Sequence, residues 1–172
     1  MNRQKELFES YSNLAYNLAG LFAFAIHGDV LFCMALQALG AASFVYHFQK
    51  TKPIFLFDWW AMMFVVSILT GQIIGESWAW FAVIAWNVVY PYTIMGKFNV
   101  FFEVGLSVTP CLISIFLIKG FNDGLIVAAI FLFSVWIRSK DEDPKQLKFH
   151  DSVYHSLWHI LTAGGFFIAR YI

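Results

Sequence analysis

Seven apolar runs, at roughly 11–27, 29–49, 54–75, 77–96, 98–118, 122–138 and 150–170, follow one another with almost nothing between them. Most are close to the ~20 residues that an α-helix needs to cross the hydrocarbon of a bilayer. The connections are as short as HGD around 27–29, QKTKP at 49–53 and MGKF at 95–98. Consecutive helices must therefore return as antiparallel neighbours in an up-and-down bundle. The runs are apolar all round rather than alternating with period two, which excludes a transmembrane barrel. The expected fold class is an all-α integral membrane protein, a seven-transmembrane-helix bundle, with residues 1–172 forming one domain. Only SKDEDPKQLK, 139–148, reads as a longer loop, and no internal repeat is visible.

Composition supports the same class, since 60% of the residues are hydrophobic and only 13% charged, against about a quarter charged in soluble domains. Formal net charge is zero, so nothing in the bulk electrostatics favours nucleic acid or an acidic macromolecule as partner. The N-terminal MNRQKELFES is polar, and the first apolar run lacks a small-residue cleavage site after it. A cleavable signal peptide is not expected, and the first span itself would direct insertion. Cys33 and Cys111 lie far apart inside apolar runs and are expected to be buried, inert thiols.

Orientation follows from the lysines and arginines. With seven spans, Arg3, Lys5, Lys50, Lys52, Lys97, Arg138, Lys140, Lys145 and Lys148 fall on one side, and Lys119 and Arg170 on the other. Under the positive-inside rule this places the N-terminus in the cytoplasm and the C-terminus outside.

Against this apolar background, HDSVYHSLWHILTAGGFF (150–167) places imidazoles where lipid-facing helices carry none. His155 and His159 are four apart, hence one turn above each other on one helical face. That spacing suits zinc, which accepts neutral imidazole nitrogen. Asp151, four residues earlier on the same stripe, is placed to orient a ligand. The alternating helix directions bring Ser43 and His47 (end of the second span), Asp58 (start of the third) and the two later histidines to one membrane side. Ser12 and Asn13 open the first span on that side, and Glu103 lies a little way into the fifth. Ionisable groups at membrane depth are costly unless paired, coordinated or functional.

His47 supplies the third imidazole, and Ser43 sits one turn from it on the same helix. Three protein ligands with a fourth position left for water is the composition of a catalytic zinc site. Zinc brings the pKa of its water toward ~7 and polarises carbonyl oxygens. Asp58 is then suited to hold or deprotonate that water, and the Ser43 hydroxyl to donate to a developing oxyanion. The competing structural readings are an Asp58 paired with Lys50 or Lys52, a His47 capping its helix, and a Ser43 bonded back to its own helix.

Ser43, His47, Asp58 and the terminal HSLWHILTAGG, together with the SN pair at 12–13, resemble the alkaline ceramidases, within the wider seven-span superfamily that includes the progestin/adiponectin receptors. The resemblance implies zinc held by His47, His155 and His159, with Asp58 and Ser43 as catalytic residues. It implies a long-chain lipid N-acyl amide as substrate, hydrolysed within the bilayer to a free amine and a fatty acid. The ceramidases also carry an acidic N-terminal calcium site. Here only Glu6 matches one of its ligands, and Glu9 and Asn13 would still leave a calcium ion short of its usual 6–8 oxygens, so calcium is not expected. The N-inside orientation is that of the receptors and opposite to that of the ceramidases. The alternative implied by the superfamily is a receptor-like or lipid-binding protein with a structural zinc. A transporter would show inverted repeats and broken half-helices, and none stands out.

Of the remaining signals, Glu103 is a further acid without an assigned role, and Asn17, Gln37 and Asn87 read as interhelical hydrogen-bonding groups. The pairs WW at 59–60 and WAWF at 78–81 read as interfacial or lipid-facing aromatics. YPY at 90–92 and TP at 109–110 are positions for helix kinks. His27 and His150 read as solvated imidazoles at helix ends.

Overall fold

A computed structural model of the protein describes residues 3–49, 51–75, 100–140 and 149–172. Every element among them is helical: α1 (Arg3–Ser12), α2 (Leu14–His27), α3 (Val30–Gln49), α4 (Lys52–Ile74), α5 (Val100–Ile118), α6 (Phe121–Ser139) and α7 (Phe149–Tyr171). Only Asn13 separates α1 from α2, so six of the seven apolar runs coincide with one helical body each. The run at 77–96, with WAWF, Asn87 and YPY, lies outside the described residues. So do the side chains of Glu6, Glu103, His150 and Asp151.

Among the described residues, three stretches, Val30–Gln49, Pro53–Ile74 and Phe121–Ser139, are long and apolar enough to cross a membrane. By itself α2, with 14 residues, measures about 21 Å at 1.5 Å per residue. That is short of the ~30 Å hydrocarbon core.

Local chemistry sets the helix ends. Gly28 and Gly75 follow α2 and α4 with φ of 66° and 75°, the left-handed conformation that lets a chain leave a helix without a Cβ penalty. Asp29 then caps the next helix, its Oδ1 accepting from the Phe32 N–H at 3.0 Å. Pro53 enters α4 in its first turn, behind an extended Thr51. The break at Asn13 has a hydrogen-bonding cause. The Asn13 N–H turns to the Ser10 carbonyl at 3.2 Å, which leaves the Glu9 carbonyl without its helical partner. Side chains replace it: the Ser12 hydroxyl donates to that carbonyl at 2.6 Å and Asn13 Nδ2 at 3.1 Å.

Packing closes a ring, with α2 against α3, α3 against α4, α4 against α5, α5 against α6, α6 against α7, and α7 back against α2. In addition, α7 touches α4, and α1 wedges between α3 and α7. The most enclosed described helix is α4, with Ala61, Met63, Val65, Ile68 and Leu69 buried on successive faces. That is why its sequence is apolar all round. Large apolar side chains face outward instead on α2 (Leu18, Phe22), α5 (Leu117) and α6 (Leu132), the surface a bilayer would cover.

Close approach of α2 and α3 depends on Gly40, where a Cβ would run into the Asn17 side chain and the Asn13 carbonyl. Gln37 Nε2 donates to the Asn17 carbonyl at 2.8 Å, the interhelical bond expected of it. Two expectations change. Trp59 is buried in the core and only Trp60 is exposed, because α4 turns residue 59 inward among its neighbours. Cys33 is half-buried while Cys111 is fully buried, and both are free.

At the bundle end opposite the histidines, Asp29 gathers three helix ends. Arg170 Nε donates to Asp29 Oδ2 at 2.9 Å, Gln72 Nε2 reaches the two carboxylate oxygens at 3.1 and 3.2 Å, and the Tyr171 hydroxyl lies at 3.4 Å. Burial alone would raise this carboxyl. The Phe32 N–H, Gln72 and Arg170 outweigh it and hold Asp29 below the usual carboxylate range. The exposed His27 ring stacks on Tyr171 at 3.8 Å.

Candidate metal centre

His47 comes from the last turn of α3, and His155 and His159 from successive turns of α7. All three are buried, and one nitrogen from each lies within 4.8 Å of the others, an arrangement that can hold a metal ion. The ring centroids stand 4.5, 4.6 and 5.1 Å apart. His47 Nε2 and His155 Nε2 are 3.0 Å apart, close to the ~3.3 Å that separates two nitrogens bound tetrahedrally at 2.0–2.1 Å from one zinc.

A metal fits this set on an observation independent of spacing. His159 is 0% exposed, and its Nε2 has no hydrogen-bond partner among the described residues. A buried nitrogen left unsatisfied costs ~1–3 kcal/mol, and a cation facing three neutral imidazoles removes that cost. Of the outer nitrogens, His159 Nδ1 is 2.7 Å from Ser12 Oγ, while His47 Nδ1 has no hydrogen-bond partner among the described residues and lies 3.4 Å from the Glu9 Oε2 charge.

Ser43 is buried one turn before His47, and the Asp58 carboxyl near the start of α4 lies close to it. Asp58 is not one of the clustered ligand groups. Tyr16, on α2, is buried with its ring 5.8 Å from that of His159. On the far side, the Arg138 guanidinium sits over Trp158 at 5.6 Å.

The five residues singled out from the sequence thus share one end of the bundle: the three histidines as a cluster, with Ser43 and Asp58 as neighbours close to it. The sequence reading assigned no role to Tyr16 and gave none to Ser12 beyond opening a span. Glu9 stood there as a calcium oxygen, whereas its carboxylate faces His47. A signal was present. Glu9, Ser12, Asn13 and Tyr16 follow the 3, 4 and 7 spacing of one helical stripe, and that polar stripe opens an apolar span.

No family model matches this chain. Neither a curated protein nor a solved structure shows significant similarity to it. Its chemistry is therefore argued from the site alone.

Proposed function

We propose that the chain is a seven-span, zinc-dependent membrane hydrolase of the alkaline ceramidase kind, which cleaves a lipid N-acyl amide into a free amine and a fatty acid. The observation that carries this reading is the buried His47, His155 and His159 cluster, with a serine, Ser43, buried one turn before His47 and an acid, Asp58, close to that serine. A purely structural cluster needs no adjacent acid.

The three imidazoles would hold the ion, and zinc bound there would supply Lewis acidity toward a carbonyl oxygen and toward water. Asp58 takes a proton from the attacking water as general base. Ser43 donates to the Asp58 carboxylate before that transfer, which orients the acceptor oxygen. Once protonated, Asp58 becomes the donor to Ser43 Oγ, and the Ser43 hydrogen turns to the oxyanion forming from the amide carbonyl. The carbon–nitrogen bond then breaks as Asp58 returns its proton to the leaving amine. Atoms balance as one water plus one amide giving one acid and one amine. The N-terminus and the zinc side face the cytoplasm on the lysine and arginine distribution.

Depth of burial favours a second reading. With His159 fully enclosed, the same ion also suits a receptor-like protein in which zinc is structural and a fatty acid is merely held. Mass spectrometry of lipid amides incubated with purified protein, with and without a chelator, separates the two. Chelator-sensitive release of fatty acid is the expected result. Retention of lipid without turnover would favour the receptor-like protein.

A further inference from the structure

Proton accounting at the outer edge of the cluster leads beyond the three ligands. The Ser12 hydroxyl has one hydrogen and two acceptor positions. Its oxygen lies 2.6 Å from the Glu9 carbonyl oxygen, which can only accept, so the Ser12 hydrogen is committed there. Toward His159 Nδ1, 2.7 Å away, Ser12 can then only accept. His159 must carry its proton on Nδ1, and its Nε2 presents a bare lone pair to the cluster. Glu9 acts on His47 by charge: its carboxylate stands 3.4 Å from Nδ1 without hydrogen-bonding it, and a negative charge there favours the proton on that nitrogen. Glu9 and Ser12 are three residues apart on α1, on one face of a helix that packs against both α3 and α7.

We infer that Glu9 and Ser12 are positioning residues of the metal centre, holding His47 and His159 in the Nδ1–H tautomer so that both turn an Nε2 lone pair inward, ready for a divalent cation such as zinc. The inference rests on the metal-centre reading for its cation, but the tautomers themselves are properties of the metal-free chain. Hydrogen-bond partners of metal-bound histidines commonly set ring orientation and basicity, and their loss typically weakens metal binding 10–100-fold. Here the partners come from a helix that carries no ligand. The position of α1 thereby becomes a determinant of metal affinity.

The test uses the full chain in detergent, labelled with ¹⁵N-histidine and stripped with a chelator. Long-range ¹H–¹⁵N correlation spectra then assign the tautomer of each ring, and competition with a zinc-chelating dye measures affinity for zinc alone. In the parent, His47 and His159 are expected as Nδ1–H tautomers. Ser12→Ala should give a tautomer mixture at His159 and bind zinc 10–100-fold more weakly, whereas Ser12→Thr, which keeps the hydroxyl, should restore both. Glu9→Leu should produce the corresponding change at His47. A parent with His159 protonated on Nε2 would overturn the inference, and that measurement holds even if Ser12→Ala fails to fold. So would a folded Ser12→Ala protein with unchanged tautomer and affinity. A parent with the Nδ1–H tautomers and no affinity for zinc would support the proton assignment and remove the metal-centre reading instead.

Discussion

His47 Nε2 and His155 Nε2 meet at 3.0 Å, although 108 residues separate them in the chain. Two neutral imidazoles at that distance share one hydrogen, whereas a bound cation lets both nitrogens act as lone-pair donors. The cluster is thus satisfied in more than one way, but only a cation also engages His159 Nε2.

Replacing the α7 ligands tests this directly. The parent is expected to retain one zinc through purification, and the double variant His155→Ala/His159→Ala to retain none by elemental analysis. Zinc should raise the thermal stability of the parent, since binding at 100 times Kd contributes ~2.7 kcal/mol. It should leave the variant unmoved. One equivalent of zinc in the double variant would refute the ligand assignment.

Asp58→Asn keeps the side chain's size and one oxygen to accept from Ser43, but removes the base. Amide hydrolysis should fall by ~10² to 10⁴, with zinc content unchanged. Undiminished hydrolysis would take Asp58 out of the mechanism, and loss of zinc would make it a ligand.

Charge distribution predicts the sidedness. A reporter fused after Ile172 should be active only outside the cytoplasm, because nine of the eleven lysines and arginines fall on the opposite side of the proposed seven-span bundle. Reporter activity in the cytoplasm would invert the topology and put the metal centre on the outer face.

Asp29 should make the bundle acid-sensitive at the end away from the histidine cluster. Its carboxyl is held below its ordinary value in the folded chain, so its stabilising effect is complete above the unfolded-state value. That effect is lost as pH falls through the folded one. Arg170→Ala removes the 2.9 Å bond and, with the arginine partly exposed, should cost ~1–2 kcal/mol. Thermal unfolding of parent and variant between neutral pH and pH 3 should converge toward the acid end. Parallel curves would show that the pair contributes nothing.

The histidines were legible in the sequence because their signal is local: two imidazoles one turn apart, and a third on the same side once helix directions alternate. Ser43 and Asp58 were legible for the same reason. The contact between Ser12 and His159 was not, since 147 residues separate the two and no periodicity within one helix reports a contact with another. Asp29 read as one letter of a short connection. Its role appears only when the ends of α4 and α7 arrive beside it. Trp59 and Trp60 are adjacent aromatics with opposite fates, which composition cannot separate because burial depends on how α4 is rotated against its neighbours.

The separation between Ser12 and His159 bears on biogenesis. Ribosomes deliver α1 first and α7 last, so during most of synthesis Glu9, Ser12 and His47 wait without the pair that would complete the site. Contacts this distant in sequence form late, after the intervening helices have been inserted and packed. A nascent chain stalled anywhere before residue 155 would present one histidine of the cluster, His47, and have little hold on a metal. Zinc capture would therefore report that α7 has been inserted and packed, and the ion would act as a seal on these assembled helices rather than a seed for their assembly.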